Sequence, residues 1–141
     1  MIFVDSSAWL ALSDVRDGNH ASALGAHAEL ATGRFGRLIT TDYVVDETLT
    51  LMRKRVGQEP TRQFVERLEP SRSSQLIWVT LEHYRAALSL FLKQSGTTWS
   101  FTDCTSFVIM RELGVGAAFT FDQDFERAGF EVHPKSGNRL R

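Results

Sequence analysis

The sequence predicts one α/β domain, a central parallel sheet of four to five strands sandwiched by helices. Short apolar runs alternate with helix-length stretches along the whole chain, the pattern of a parallel sheet covered on both faces. The 141 residues are enough for one continuous core, and no repeat, low-complexity tract or linker divides them. Four acids, Asp5, Glu47, Asp103 and Asp122, each sit where an apolar segment ends or a helix begins. In open α/β sheets that edge holds the ligand crevice.

The elements follow in order. Residues 1–5 read as a strand, Met1-Ile2-Phe3-Val4 running into Asp5, with helical stretches over about 7–14 and 19–33 behind it. A short strand at 37–41 leads into a long helix from Asp42 to Val56, closed by Gly57. Pro60 suits the start of the next helix, which runs to about Glu69. After a loop at 72–74, residues 75–80 read as a strand. Helices over 81–95 and 101–113 stop at Gly96 and Gly114. A strand at 117–121, a helical turn at 123–128 and a strand at 130–133 complete the domain, expected to span 1–134. Residues 135–141, with Lys135, Arg139 and Arg141, read as a basic tail.

The apolar fraction of 43% and charged fraction of 23% are those of a soluble globular protein, and no apolar stretch approaches the ~20 residues of a membrane span. The chain enters a strand without a basic, secretory-type leader. Its lone Cys104 excludes an internal disulfide and a multi-thiolate zinc site, which fits a cytoplasmic location. A net charge of −1 is unlike a simple RNA-coating protein, yet metal-binding acids in a nuclease would offset its basic contacts.

Carboxylates gathered at one sheet edge repel one another and resist ionisation unless a cation neutralises them. That constellation points to a hard divalent metal and phosphoryl chemistry. In the long helix, Asp46 and Glu47 compete for the role. With Val45, Leu49, Met52 and Val56 as the main apolar stripe, Glu47 shares an edge with Val44 and Leu51, while Asp46 falls with Thr50 and Arg53. Glu47 is therefore the expected site residue. Asp103, in Ser100-Phe101-Thr102-Asp103, fits a capping box as well as it fits a functional carboxylate. Asp122 ends its strand and ranks ahead of Asp124, and both Ser6 and Ser7 can donate hydrogen bonds beside Asp5.

The stretches Ile2-Phe3-Val4-Asp5-Ser6-Ser7-Ala8-Trp9, Asp42-Tyr43-Val44-Val45-Asp46-Glu47-Thr48, Ser100-Phe101-Thr102-Asp103-Cys104-Thr105-Ser106-Phe107 and Thr120-Phe121-Asp122-Gln123-Asp124-Phe125 resemble, in order and spacing, the PIN domain. More narrowly, they resemble the VapC toxins of VapBC toxin–antitoxin pairs. The resemblance implies a metal-dependent endoribonuclease acting on structured RNA such as tRNA or rRNA. It carries the acidic roles onto Asp5, Glu47, Asp103 and Asp122, with Asp124 as a fifth metal residue; Ser6 and Thr102, next to Asp5 and Asp103 in the chain, are the expected hydrogen-bonding support. It also implies a homodimer and a VapB antitoxin whose tail covers the crevice, so that DNA is met only through the antitoxin.

Carboxylates without histidine or thiolate suit Mg²⁺, with Mn²⁺ able to substitute. Asp5 and Asp103 are expected to anchor the principal ion, with Glu47 and Asp122 binding through water or helping a second one. In-line hydrolysis at such a centre leaves a 5′-phosphate and a 3′-hydroxyl. His20, His27, His83 and His133 are scattered and offer no competing acid–base pair. Arg53-Lys54-Arg55 is the densest basic cluster available to RNA phosphates, though cations in a last helical turn also suit the helix dipole. Trp99 and Phe101 are candidates for stacking on unpaired bases.

Three other readings compete. A haloacid dehalogenase-type phosphotransferase resembles Asp-x-Asp after the first strand, whereas Asp5 is followed by Ser6-Ser7. A receiver domain needs a well-placed lysine, and Lys54, Lys93 and Lys135 do not follow strands. The third is a non-catalytic PIN-like module that binds RNA or protein.

Overall fold

The computed structural model describes residues 1–69 and 71–135. In chain order these are β1 (Ile2–Val4), α1 (Ser6–Ser13), α2 (His20–Ala31), β2 (Leu38–Thr41), α3 (Asp42–Val56), α4 (Gln58–Leu68), β3 (Ser74–Ile77), α5 (Leu81–Lys93), α6 (Phe101–Leu113), β4 (Ala117–Phe119), α7 (Gln123–Arg127) and β5 (Glu131–His133). Arg139 and Arg141 of the expected tail lie outside the described residues, and Lys135 pairs with Glu131 at 2.8 Å.

All five strands are parallel, in the order β3-β2-β1-β4-β5. The chain builds outward from β1 to β3 and then returns to the other flank of β1, so the order reverses between β1 and β4. Successive side chains of a strand face opposite sides of a sheet. Ile2, Phe3 and Val4 are all fully buried, so helices cover both faces of β1. The core extends through Ile39, Phe107, Met110, Phe119 and Phe125. α1 packs on α2 and α3, α3 also on α4 and α6, and α5 on α6. Among the described residues no helix is long and apolar enough to cross a membrane.

All five strands are shorter than the sequence implies, β2 by Arg37 alone and the other four because groups at their ends bond elsewhere. Asp5 leaves β1 to begin α1. Val79 donates its N–H to Asp42 Oδ1 at 2.7 Å, and Thr80 caps α5, so β3 ends at Ile77. Thr120 and Phe121 leave β4 for the hydrogen-bond network around Asp5. At β5, Phe130 closes the turn after α7 by bonding back to Phe125 O and precedes the strand.

The buried stripe of α3 also differs from expectation: it is Val44, Thr48 and Met52, with Val45, Leu49 and Val56 only partly buried. A threonine is tolerated at the centre of that face because its hydroxyl donates to Val44 O at 2.7 Å. Thr41 anchors the helix start by accepting from Val44 N–H at 3.1 Å. Gly114 closes α6 at φ 68°, a left-handed cap that favours glycine.

Phe107 is fully buried on α6 and meets Trp99, Phe125 and Phe130 ring to ring. Phe107→Ala is expected to lower the unfolding free energy by about 3–5 kcal/mol in urea or guanidinium titration. A loss below about 1 kcal/mol would contradict this packing.

Candidate metal centre

The acids meet at the C-terminal edge of the sheet, around the β1/β4 reversal, where an open α/β sheet forms its crevice. Asp5 is extended, at φ −87° and ψ 161°, as the chain turns from β1 into α1. Its carboxylate does not cap α1. Instead Oδ2 accepts hydrogen bonds from Ser7 Oγ at 2.9 Å and Thr120 Oγ1 at 3.0 Å. Oδ1 is approached by Ser6 Oγ at 3.5 Å, too far for a strong bond. Asp5 is 3% exposed.

Glu47 comes from the second turn of α3, and its Oε2 accepts a 2.6 Å hydrogen bond from Ser6 Oγ. Asp46 is exposed on the same helix. Asp103 sits in the first turn of α6 and forms a reciprocal capping box with Ser100. The Asp103 N–H donates to Ser100 Oγ at 3.0 Å, and Asp103 Oδ2 accepts from the Ser100 N–H at 3.1 Å. The two readings of Asp103 are thus compatible: the cap fixes the carboxylate at the crevice. Asp122 caps α7 by accepting from the Asp124 N–H at 2.9 Å, while its own N–H donates to Thr120 Oγ1 at 3.0 Å.

Asp103, Asp122 and Asp124 each present a carboxylate oxygen within 4.8 Å of the others. Asp124 is therefore a full member of the tightest group, together with Asp122. At its outer side, Asp124 pairs with Arg127 at 3.3 Å.

The electrostatics match this crowding. Burial pushes the Asp5 carboxyl up to about 6; the Ser7 and Thr120 hydrogen bonds oppose that shift, and the charges of Asp122 and Glu47 add to it. Asp103 is pushed up to about 7, first by burial and then by the charge of Asp5, with hydrogen bonding to Ser100 opposing and Asp122 adding. Among the described residues, no positive charge offsets the shift of either acid. The donor set of the tight group is carboxylate oxygen throughout. Such a set fits a hard divalent cation, whose charge would remove the penalty on ionising Asp5 and Asp103.

Other expected residues fall differently. Thr102 does not support an acid: its carbonyl accepts the hydroxyls of Thr105 and Ser106 at 2.6 and 3.1 Å, and among the described residues no hydrogen bond joins its side chain to a carboxylate. One helical position separates it from Asp103, which turns its side chain about 100° away. That supporting role falls to Ser7 and Thr120. The signals for them were the second serine after Asp5 and the one hydroxyl inside the apolar run of β4.

Trp99 packs edge-on against Phe107 at 5.1 Å and belongs to the core border. Phe101 lies among Tyr43, Tyr84 and Phe91. Arg53, Lys54 and Arg55 are exposed at the far end of α3, roughly 10 Å along the axis from Glu47. Arg55 also pairs with Asp17 at 3.6 Å. His20 bonds Ala11 O, His83 bonds Glu112 while capping α5, and His133 meets the Phe35 ring at a 58° tilt.

Comparison with known proteins agrees with this geometry. The PIN domain family model matches residues 2–131. A 23S rRNA-specific endonuclease, VapC20 of Mycobacterium tuberculosis, is 33% identical over 136 residues, covering 96% of this chain and all of that protein. A VapC ribonuclease of Archaeoglobus fulgidus is 28% identical over 113 residues, covering 78% of this chain and 70% of that one. The crystal structure of M. tuberculosis VapC20, described as a sarcin-ricin loop cleaving toxin, superposes with a TM-score of 0.83 at 32% identity, over 92% of this chain and 96% of that one.

The raised carboxyls give a signed pH dependence. Asp5 and Asp103 titrate near 3.8 when unfolded but near 6 and 7 when folded, so their contribution to metal-free stability is fully present below about pH 4. It is lost as pH rises through 6 and 7. Protons and a divalent ion compete for the same oxygens. Saturating Mg²⁺ is therefore expected to raise the thermal midpoint more at pH 8 than at pH 5.5, read by differential scanning fluorimetry. An equal or larger shift at pH 5.5 would contradict the assignment.

Proposed function

Since the chain belongs to the PIN domain family and to its VapC branch, we propose that it is a Mg²⁺-dependent endoribonuclease of a toxin–antitoxin pair, with Mn²⁺ able to substitute. One observation carries this reading: acids from four separate segments converge at the β1/β4 crevice, and two of them are buried where ionisation is penalised. Asp5, Asp103, Asp122 and Asp124 would hold the ion, with Glu47 at the border of the group. When bound, a divalent ion supplies an activated water and neutralises charge on the scissile phosphate.

The remaining tasks belong to the chain itself. Ser7 and Thr120 fix one oxygen of Asp5, Ser6 orients Glu47, and the Ser100 cap holds Asp103. Phosphates farther along the RNA would meet Arg53, Lys54 and Arg55. The substrate is a structured RNA such as tRNA or rRNA; the names of the relatives support RNA, and one of them 23S rRNA.

A VapB-type antitoxin would silence the protein by placing a basic side chain against the same carboxylates, substituting part of the ion's charge. The setting is the cytoplasm. The domain is 1–134, with 135–141 a basic tail. A homodimer would cover the outward face of α5, where Leu81, Tyr84, Leu88 and Leu92 are exposed beside Trp78. These residues recur at helical spacing, and a two-fold axis pairs such a patch with itself.

Two measurements test this reading. Native protein with Mg²⁺ is expected to cut RNA leaving 5′-phosphate and 3′-hydroxyl ends, and Asp5→Asn to lower the rate by on the order of 10³-fold. A 2′,3′-cyclic phosphate product, or cleavage indifferent to both Mg²⁺ and the substitution, would refute it. Metal binding without cleavage of any RNA would favour a binding module. For the dimer, Leu88→Glu is expected to give a monomer in light scattering; an unchanged mass would exclude that face.

A further inference from the structure

The Ser7 hydroxyl is used from both sides. Its Oγ donates to Asp5 Oδ2 at 2.9 Å and accepts the Phe121 N–H at 2.9 Å. Phe121 precedes Asp122, and Asp122 and Asp124 both belong to the tight acid group. Thr120 joins the same seam, donating to Asp5 Oδ2 at 3.0 Å and accepting the Asp122 N–H at 3.0 Å. The turn after β4 and the first turn of α1 are thus tied through one oxygen of Asp5. That leaves Asp5 Oδ1, approached by Ser6 Oγ at 3.5 Å, as the oxygen with room for another ligand.

We propose that Ser7 is a positioning residue of the metal centre: it turns Oδ1 of Asp5 toward the ion and holds the Asp122–Asp124 turn at the distance one ion can span. The inference rests on the metal-centre reading above but not on RNA cleavage. Ser7 acts through Asp5 and the Phe121 amide, and it is not a ligand itself. Ser6, its neighbour, serves the other side of the site through Glu47. The two adjacent serines therefore divide the acids between them.

Without the Ser7 hydroxyl, Asp5 keeps Thr120 as a donor but is free to swing, and the Phe121 N–H loses its acceptor. Supporting hydrogen bonds of this kind are typically worth 10–100-fold in metal affinity.

The test measures Mn²⁺ binding to the full chain by calorimetry, with no RNA present. Ser7→Ala is expected to weaken Mn²⁺ binding about 10–100-fold, and Ser7→Thr, which keeps the hydroxyl, to restore most of it. Thermal melting in EDTA reports the structural cost separately. Should the alanine variant not fold, Ser7→Cys, near in size but a weak hydrogen-bonding group, is expected to show an intermediate affinity.

Native Mn²⁺ affinity in Ser7→Ala, or in the folded cysteine variant, would overturn the proposal, as would equal loss in the alanine and threonine variants. Lowered melting in EDTA with unchanged Mn²⁺ affinity would make Ser7 purely structural. Failure of the native chain to bind Mn²⁺ would remove the metal centre itself. Native binding without RNA cleavage would remove only the nuclease reading.

Discussion

Mutual repulsion among carboxylates that cannot all be solvated is the constraint on which the site depends. Asp5 and Asp103 are almost fully buried, and each feels the charge of other acids in the group. A fold selected only for stability would place apolar or paired groups there, because unpaired buried charge is among the costliest features a core can carry. The sheet edge instead accumulates these acids and surrounds them with hydroxyls and a helix cap. The arrangement would become favourable once a divalent ion bound, which would link folding, metal and pH in one equilibrium.

The scaffold serves that concentration of charge. Reversal of strand order beside β1 opens the crevice, and the acids reach it by different local routes. Asp5 arrives by ending a strand, Asp103 by capping α6, Asp122 by capping α7, and Glu47 from the second turn of α3. Three of the four therefore occupy positions where local backbone geometry already favours a polar side chain. Rigidity follows, since the caps and the Ser7–Thr120 seam fix the carboxylates before any ligand arrives.

Much of this was legible in the sequence, for identifiable reasons. The alternation of apolar runs and helical stretches gave the parallel sheet, and Gly57 and Gly114 marked helix ends where the backbone has positive φ. Glu47 was separable from Asp46 by helical angle, and Asp46 is indeed exposed. What escaped depended on which hydrogen bond a polar residue makes. Thr48 lies outside the apolar stripe expected for α3, yet it is buried with its hydroxyl donated to Val44 O. Thr120 and Phe121 looked like strand until the site claimed them. Thr102 was given a supporting role and Thr120 none, because spacing along a chain does not reveal which hydroxyl points at a carboxylate across 115 positions, as Thr120 does to Asp5. Asp124 was ranked behind Asp122, although a single turn brings both into the same group.

Buried acids crowded by their own charge should be relieved by a divalent ion. Carbon-13 NMR titration of the Asp103 carboxyl tests this most directly. In metal-free protein that carboxyl should titrate near 7, and saturating Mg²⁺ should move its titration well below neutrality. Ordinary carboxylate titration near 4, unchanged by Mg²⁺, would mean that the acids neither crowd one another nor hold an ion.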